Sequence, residues 1–225
     1  TFSGLKSLRV LHLQYNQLSS IEASMFNDLH SLELLDLKKN QLETVNGNLF
    51  ANLRRLRVLE LSDNQLKTLN ASTFASLSEL EILSLEKNYI AILDANLFKN
   101  NAKLKQLTLY SNNIDDLSQQ SFASLKKLKL LDLSRNRLSS LHVDLFEVLE
   151  NLCDLYLNEN ELRSFENRTF KGLKELKVLK IQGNKFYELK ENELFRGLKS
   201  LEELFIYNDT TNYISSLKAT LQNEI

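Results

Sequence analysis

The chain has 225 residues, 43% of them hydrophobic and 25% charged, with a formal net charge of -1. This composition matches ordinary globular domains, and it lacks the basic excess with which nucleic-acid-binding proteins neutralise phosphates. We expect no membrane span within this segment, because no run approaches the roughly 18 apolar residues that a spanning helix needs; a membrane anchor elsewhere in a full-length protein is compatible with this.

From Leu8 onward the sequence repeats every 24 residues. The eight full units begin at Leu8, Leu32, Leu56, Leu80, Leu104, Leu128, Leu152 and Leu176, and a degenerate ninth occupies residues 201–225. Residues 1–7 read as the tail of an earlier unit, because Phe2 and Leu5 fit its last positions. Repetition at this period predicts a single solenoid over residues 1–225.

Each unit places apolar residues at positions 1, 4 and 6, as in Leu56, Leu59 and Leu61. This spacing predicts a short strand whose positions 4 and 6 face the core while position 5 faces solvent. Because one unit cannot bury its own apolar face, the units must stack with their strands parallel.

Two further columns run through the repeats. Position 9 is asparagine in every full unit, at Asn16, Asn40, Asn64, Asn88, Asn112, Asn136, Asn160 and Asn184. An amide both donates and accepts, so we expect these side chains to satisfy backbone groups inside each turn. A phenylalanine near position 19 predicts a stacked spine on the outer side, at Phe26, Phe50, Phe74, Phe98, Phe122, Phe146, Phe170 and Phe195.

The array departs from its pattern in a few places. Asn101 replaces an apolar residue at position 22, which predicts a loosened fourth repeat. One extra residue lies between Leu189 and Phe195, and Asp209 stands where asparagine belongs. At the end of the chain, Ile214, Leu217, Leu221 and Ile225 have near-helical spacing, which fits either a covering helix or the start of another repeat.

The pattern LxxLxLxxNxLxxLxxxxFxxLxx resembles the typical 24-residue leucine-rich repeat of animal extracellular proteins, including Toll-like receptors and insect immune and adhesion proteins. The resemblance implies an α/β solenoid, a right-handed horseshoe with a parallel β-sheet on its concave face and loops or short helical turns on its convex face. Such arrays normally carry cysteine-rich caps. Cys153 is the only cysteine and the chain has no initiator Met, so we expect a fragment that lacks its caps.

Nothing in the sequence supports catalysis or a cofactor. There is no phosphate-binding glycine loop, no H-E-x-x-H and no EF-hand loop. The three histidines, His12, His30 and His142, fall at different repeat positions, so we expect no metal site. Three glycosylation sequons begin at Asn70, Asn167 and Asn208. Asn70 and Asn167 lie outside the strand positions, which favours an extracellular chain, either secreted or at the cell surface.

Side chains facing outward from the strands are the candidate ligand-binding residues, because a stack of strands presents them on a rigid extended surface. Aromatic residues gather toward the C-terminal half and charges toward the N-terminal half, with Lys38/Glu60 and Asp63/Lys87 as expected charge pairs. An aliphatic column at position 3 is interpreted as strand-edge packing. The candidates are Tyr110, Tyr156, Lys180, Phe205, Tyr207, Lys38, Glu60, Asp63, Glu86 and Lys87.

The sequence therefore predicts a non-catalytic recognition module that binds a protein ligand or co-receptor, in innate immunity or cell adhesion, and a dimeric assembly is compatible with it. Two alternatives stay open at this stage. The chain could be an intracellular scaffold that uses the same face, or the substrate-recognition arm of a larger enzyme.

Overall fold

The structure is a computed structural model and describes residues 2–187, 189 and 194–206. It is a solenoid of about eight turns with little helix, which confirms the predicted fold class. Two short 3₁₀ segments, Ala23–Phe26 and Gly47–Phe50, lie in the first two repeats. The expectations for residues 190–193 and 207–225, including the ninth repeat after Ile206, lie outside the described residues.

One parallel sheet of nine strands forms a face of the solenoid. Its strands are β1 (Val10–His12), β2 (Leu34–Asp36), β3 (Val58–Glu60), β5 (Ile82–Ser84), β7 (Gln106–Thr108), β8 (Leu130–Asp132), β9 (Asp154–Tyr156), β10 (Val178–Lys180) and β11 (Glu203–Phe205). A second, two-stranded sheet pairs β4 (Thr68–Leu69) with β6 (Ile92–Leu93). In the main sheet, position 4 of one repeat lies beside position 4 of the next, as Leu35 lies beside Leu59.

Each main strand covers positions 3 to 5 only, but the hydrogen bonding between repeats continues beyond it. The Leu37 N–H donates to the Glu60 carbonyl at 2.8 Å, and the Lys39 N–H donates to the Ser62 carbonyl at 2.9 Å. Positions 4 and 6 point into the core, where Leu59 and Leu61 are fully buried. Positions 3, 5 and 7 therefore point outward, and we call the surface they form in the nine-stranded sheet the concave face.

The position-9 asparagines bind one repeat to the previous one. Asn88, at 4% exposure, donates from Nδ2 to the Leu61 carbonyl of the preceding repeat and to the Leu85 carbonyl of its own, both at 3.0 Å. Its Oδ1 accepts from the Leu66 N–H at 3.0 Å. The same arrangement recurs from Asn40 to Asn184. Asn16 differs, because it is exposed and donates only to carbonyls of its own repeat.

On the opposite side of the core, the phenylalanines stack along the solenoid axis. The ring of Phe98 lies 6.3 Å from that of Phe74 and 6.4 Å from that of Phe122. Phe195 stacks on Phe170 at 6.1 Å despite the extra residue before it. Each ring is buried or half-buried, so the spine closes the core on the convex side.

Position 8 turns the chain away from the sheet through a left-handed backbone conformation. The φ angles of its non-glycine residues lie between 51° and 59°, at Tyr15, Lys39, Asp63, Lys87, Ser111, Arg135 and Glu159. Gly183 has the same sign of φ at 69°. This conformation disfavours residues with a Cβ, so the surrounding hydrogen bonds must hold the turn.

The expectation that Asn101 loosens the fourth repeat is wrong. Asn101 is fully buried, and its Nδ2 donates to the carbonyls of Phe74 and Leu77 in the preceding repeat at 3.1 and 2.9 Å. Its Oδ1 has no hydrogen-bond partner. The amide therefore exchanges apolar contact for two hydrogen bonds between repeats.

Candidate ligand-binding surface

The concave face is more enclosed than the sequence suggested. Among its outward-pointing residues, Ser62, Ser84 and Ser134 are buried rather than exposed. Adjacent strands are only about 4.8 Å apart, so longer side chains in neighbouring repeats cover these small ones. The surface available to a partner is therefore formed by its long polar, charged and aromatic side chains.

In the N-terminal half, Asp63 lies between two lysines. Its carboxylate oxygens are 4.0 Å from Lys38 Nζ and 3.6 Å from Lys87 Nζ. The expected Asp63/Lys87 pair is present, but Lys38 pairs with Asp63 and not with Glu60. The position-8 turn explains this, because it directs Asp63 back toward the repeat that carries Lys38.

Glu60, Glu86 and Asp132 form a line of carboxylates along the face. No ion pair joins any of them to a cation within the part of the chain that the structure describes. Thr108 donates its hydroxyl to Glu86, and Ser134 donates its hydroxyl and N–H to Asp132. Burial raises the pKa of Glu60 and of Asp132, and the negative charge of Glu86 raises both further. These carboxylates therefore have no ion-pair partner among the described residues, although the more distant charges of Lys38 and Lys180 act on Glu60 and Asp132.

Glu60→Gln is expected to raise the melting temperature at neutral pH by about 1–3 °C. Because the folded-state pKa of Glu60 is raised, its stabilising contribution is complete below the unfolded pKa and is lost as pH rises through the folded value. The difference between variant and parent should therefore disappear below about pH 4. Thermal unfolding followed by circular dichroism, at neutral pH and below about pH 4, measures the difference in melting temperature.

The matched control is Glu161→Gln. Hydrogen bonding to Lys185 lowers the pKa of Glu161, so this variant should leave the melting temperature unchanged or slightly lower at neutral pH. An equal rise in both variants would mean that general surface charge, not burial of Glu60, causes the effect.

In the C-terminal half, Tyr110 is held by a cation from the next repeat. Arg135 Nη1 donates to the Tyr110 hydroxyl at 2.9 Å, and the guanidinium carbon lies 5.4 Å from the ring centroid. Arg135 also pairs with Glu159 at 2.7 Å. The ring of Tyr110 is thus fixed in orientation, which lowers the entropy that a partner must remove on binding.

Lys180 lies between two aromatic rings in the position-5 column. Its Nζ is 4.5 Å from the centroid of Tyr156 and 5.3 Å from that of Phe205. Cation–π attraction at these distances contributes about 0.5–1 kcal/mol at an exposed site. Tyr156, Lys180 and Phe205 are therefore one ordered group on the surface, while Tyr207, which was predicted beside them, lies outside the described residues.

Arg135, Asp36 and Asp132 also belong to this surface; their repeat positions predict that they lie on the strand face, but they were not among the predicted binding residues. Position 7 of one repeat lies beside position 8 of the next, which brings Arg135 to Tyr110. Aligning the repeats places Tyr110 and Arg135 in neighbouring columns, but the turn that brings them into contact is not visible in the residue types. Asp36 and Asp132 stand in the same position-5 column as Tyr156 and Lys180, so their column was already visible in the sequence.

The two described sequon asparagines lie away from the sheet. Asn70 and Asn167 are exposed, and the side-chain oxygen Oδ1 of Asn70 accepts from the N–H and hydroxyl of Ser72. A depression of about 470 Å³ beside Asn167 is bordered by Phe165 and Tyr187 and also lies outside the sheet. Asn208 lies outside the described residues.

Two features are absent from the residues that the structure describes. No three or more His, Cys, Asp or Glu side chains are grouped to hold a metal ion. Within the same part of the chain, no helix is long and apolar enough to cross a membrane.

The family model described as leucine rich repeat matches four overlapping stretches, residues 1–42, 34–90, 78–138 and 127–186. The chain belongs to the leucine-rich-repeat family. A search of the curated proteins gave no match. In family terms, the concave face is the inner surface of the repeat array, and the asparagine and phenylalanine columns are its internal supports.

Among solved structures, this leucine-rich-repeat chain is similar to TLR13 in its complex with ssRNA13, at 36% identity and a TM-score of 0.86 over 93% of this chain. It is also similar to a leucine-rich-repeat protein of Leptospira interrogans, at 30% identity and 0.77 over 88% of this chain. Toll of Drosophila in its complex with Spatzle shares the fold, at 22% identity and 0.67 over 85% of this chain. The chain spans 30%, 49% and 28% of these proteins, respectively.

Proposed function

We propose that the concave face binds a protein ligand or co-receptor, and that the chain is a non-catalytic part of an extracellular receptor ectodomain or secreted protein of innate immunity or adhesion. The observation that carries this proposal is the ordered group of Lys180 between Tyr156 and Phe205. Well-ordered aromatic side chains are enriched among binding hot spots. The likeness to TLR13, which was solved in complex with ssRNA, supports a recognition role in general.

A protein ligand fits this face better than a nucleic acid. The solved TLR13 structure is a complex with ssRNA, so RNA is the alternative to weigh. On this chain Glu60, Glu86 and Asp132 line the face without ion pairs among the described residues, and Lys38 and Lys87 are already paired with Asp63. Phosphates would meet carboxylates that have no ion-pair partner, which opposes the electrostatic attraction that drives nucleic-acid binding.

The extracellular part of the proposal rests on Asn70 and Asn167. Both side chains are exposed and lie outside the sheet, where a glycan would leave the concave face open. Protein from its native source should lose mass on treatment with an N-glycosidase. A mass equal to that of the unmodified chain before treatment would favour the intracellular scaffold instead.

The double variant Tyr110→Ala/Tyr156→Ala is expected to weaken binding of the native partner at least tenfold, about 1.4 kcal/mol or more, because it removes two ordered aromatic anchors. Biolayer interferometry with partner isolated from the native source measures the affinity. Tyr89→Ala/Tyr187→Ala is the matched control, since these tyrosines are 56% and 67% exposed and lie off the sheet. Unchanged binding by the first variant, or equal loss in both, contradicts the proposal.

A further inference from the structure

An aliphatic stripe runs across the first four strands of the concave face. It consists of Val10, Leu34, Val58 and Ile82, which pair in direct register from β1 to β5. Val10 is 48% exposed and the other three are half-buried. The stripe stops at Gln106 in β7. The sequence interpretation as strand-edge packing is incomplete, because these side chains point to the same side as positions 5 and 7.

Three carboxylates lie directly beside this stripe. Asp36 and Glu60 stand two residues after Leu34 and Val58 on the same side of their strands, and Glu86 follows at position 7 of the fourth repeat. Asp36 Oδ2 is 3.7 Å from His12 Nδ1, whereas neither Glu60 nor Glu86 has an ion-pair partner among the described residues. Besides burial, the negative charges of Glu86 and Asp36 raise the pKa of Glu60, so both carboxylates repel that of Glu60. A cation placed among them would relieve this repulsion and compensate for their partial desolvation.

Ser62 adds a separate observation in the same area. It points outward between Lys38 and Glu86 at position 7, is fully buried, and its Oγ has no hydrogen-bond partner. A buried hydroxyl without a partner is unfavourable, because it has lost its hydrogen bonds to water. A polar group of a ligand that reaches Ser62 Oγ would give this hydroxyl a partner.

The spacing of the repeats selects the shape of the ligand. Adjacent strands are about 4.8 Å apart, close to the 5.4 Å rise of one α-helical turn. A helix lying across the strands thus offers about one turn to each repeat. An extended strand repeats its side-chain direction only every 6.6–6.8 Å or so, and it would leave register within two or three repeats.

We infer that the first four repeats bind a cationic amphipathic α-helix of a protein partner. Its apolar side chains lie on the aliphatic stripe, and its lysines or arginines lie at Asp36, Glu60 and Glu86. The inference rests on the proposed function, because it names the partner chemistry of the N-terminal half of the same face. About three helical turns cover the four repeats.

The probe is a synthetic, lactam-bridged helical peptide of about 14 residues, long enough to cross four strands. Its leucines follow one face at three- and four-residue spacing, and its lysines line one adjacent edge. Fluorescence anisotropy with the full 225-residue chain measures the affinity. Glu60→Gln/Glu86→Gln is expected to weaken binding by about tenfold or more, and raising the salt concentration should weaken binding to the parent chain.

Controls separate a specific site from general charge attraction. Glu43→Gln/Glu79→Gln neutralises two carboxylates that pair with Lys67 and Lys103 off the concave face, and it should bind the peptide like the parent. Val58→Thr, which keeps the volume but adds a hydroxyl to the stripe, should weaken binding. A peptide of the same composition with leucines and lysines spread around the helix should bind at least about tenfold more weakly.

Equal binding of both peptides, or an affinity within about twofold after neutralising Glu60 and Glu86, overturns the inference. If the peptide fails while Tyr110→Ala/Tyr156→Ala still abolishes binding of the native partner, the inference is wrong and the proposed function stands. If the native partner binds Tyr110→Ala/Tyr156→Ala and Glu60→Gln/Glu86→Gln as tightly as the parent chain, the proposed function is wrong as well.

Discussion

Asn88→Asp is expected to lower the free energy of unfolding by about 3–5 kcal/mol. The Asn88 amide donates to the Leu61 and Leu85 carbonyls in a site that is 4% exposed. A carboxylate cannot donate there and would face both oxygens with a buried charge. Urea denaturation followed by circular dichroism measures the loss, and acidification should recover part of it because a protonated carboxyl can donate once.

Asn16→Asp is the matched control for this prediction. Asn16 occupies the same repeat position, but it is exposed and bonds only within its own repeat, so its replacement should change stability by about 0.5 kcal/mol or less. If the aspartate variant of Asn88 does not fold, Asn88→Ala provides the milder test. A similar loss of unfolding free energy in the Asn88 and Asn16 variants would show that the asparagine hydrogen bonds between repeats contribute little to stability.

Phe98→Ala is expected to lower the free energy of unfolding by about 3–5 kcal/mol. The ring is 2% exposed and stacks between Phe74 and Phe122 at 6.3 and 6.4 Å. Its removal leaves a cavity that the neighbouring repeats cannot close without breaking their register. Chemical denaturation and differential scanning calorimetry both report the change.

Two variants show whether the volume in the spine causes this loss. Phe98→Leu keeps much of the volume and should cost only about 1.5 kcal/mol. Tyr89→Ala removes an exposed aromatic side chain from the same repeat and should change stability by about 0.5 kcal/mol or less. A loss from Tyr89→Ala as large as that from Phe98→Ala would contradict the role assigned to the spine.

The fold was predictable because its period fixes nearly everything about it. A repeat of 24 residues places Leu35 beside Leu59 and Phe74 beside Phe98, so the stacking follows once the apolar positions are known. The asparagine column could likewise be matched to unsatisfied backbone groups.

The candidate site was only partly predictable, because side-chain pairing across repeats depends on the turn after each strand. The left-handed position-8 turn brings Asp63 to Lys38 and Arg135 to Tyr110. The residue types at position 8 do not predict that turn, because a left-handed turn is normally predicted from glycine. Within the described repeats, glycine occupies position 8 only at Gly183. Asn101 was misjudged for a related reason, because the sequence does not show that the carbonyls of Phe74 and Leu77 lie within reach of the next repeat.

At the position-8 turn, the backbone geometry is constant from repeat to repeat while the side chain varies. Tyr, Lys, Asp, Ser, Arg and Glu all occupy it with φ angles within 8° of one another, so every one of these non-glycine residues bears a similar backbone cost. When one replaces another, that cost cancels and only the chemistry presented at the edge of the concave face changes. Such an array can acquire a new binding specificity through single substitutions at position 8, because the backbone geometry there stays the same.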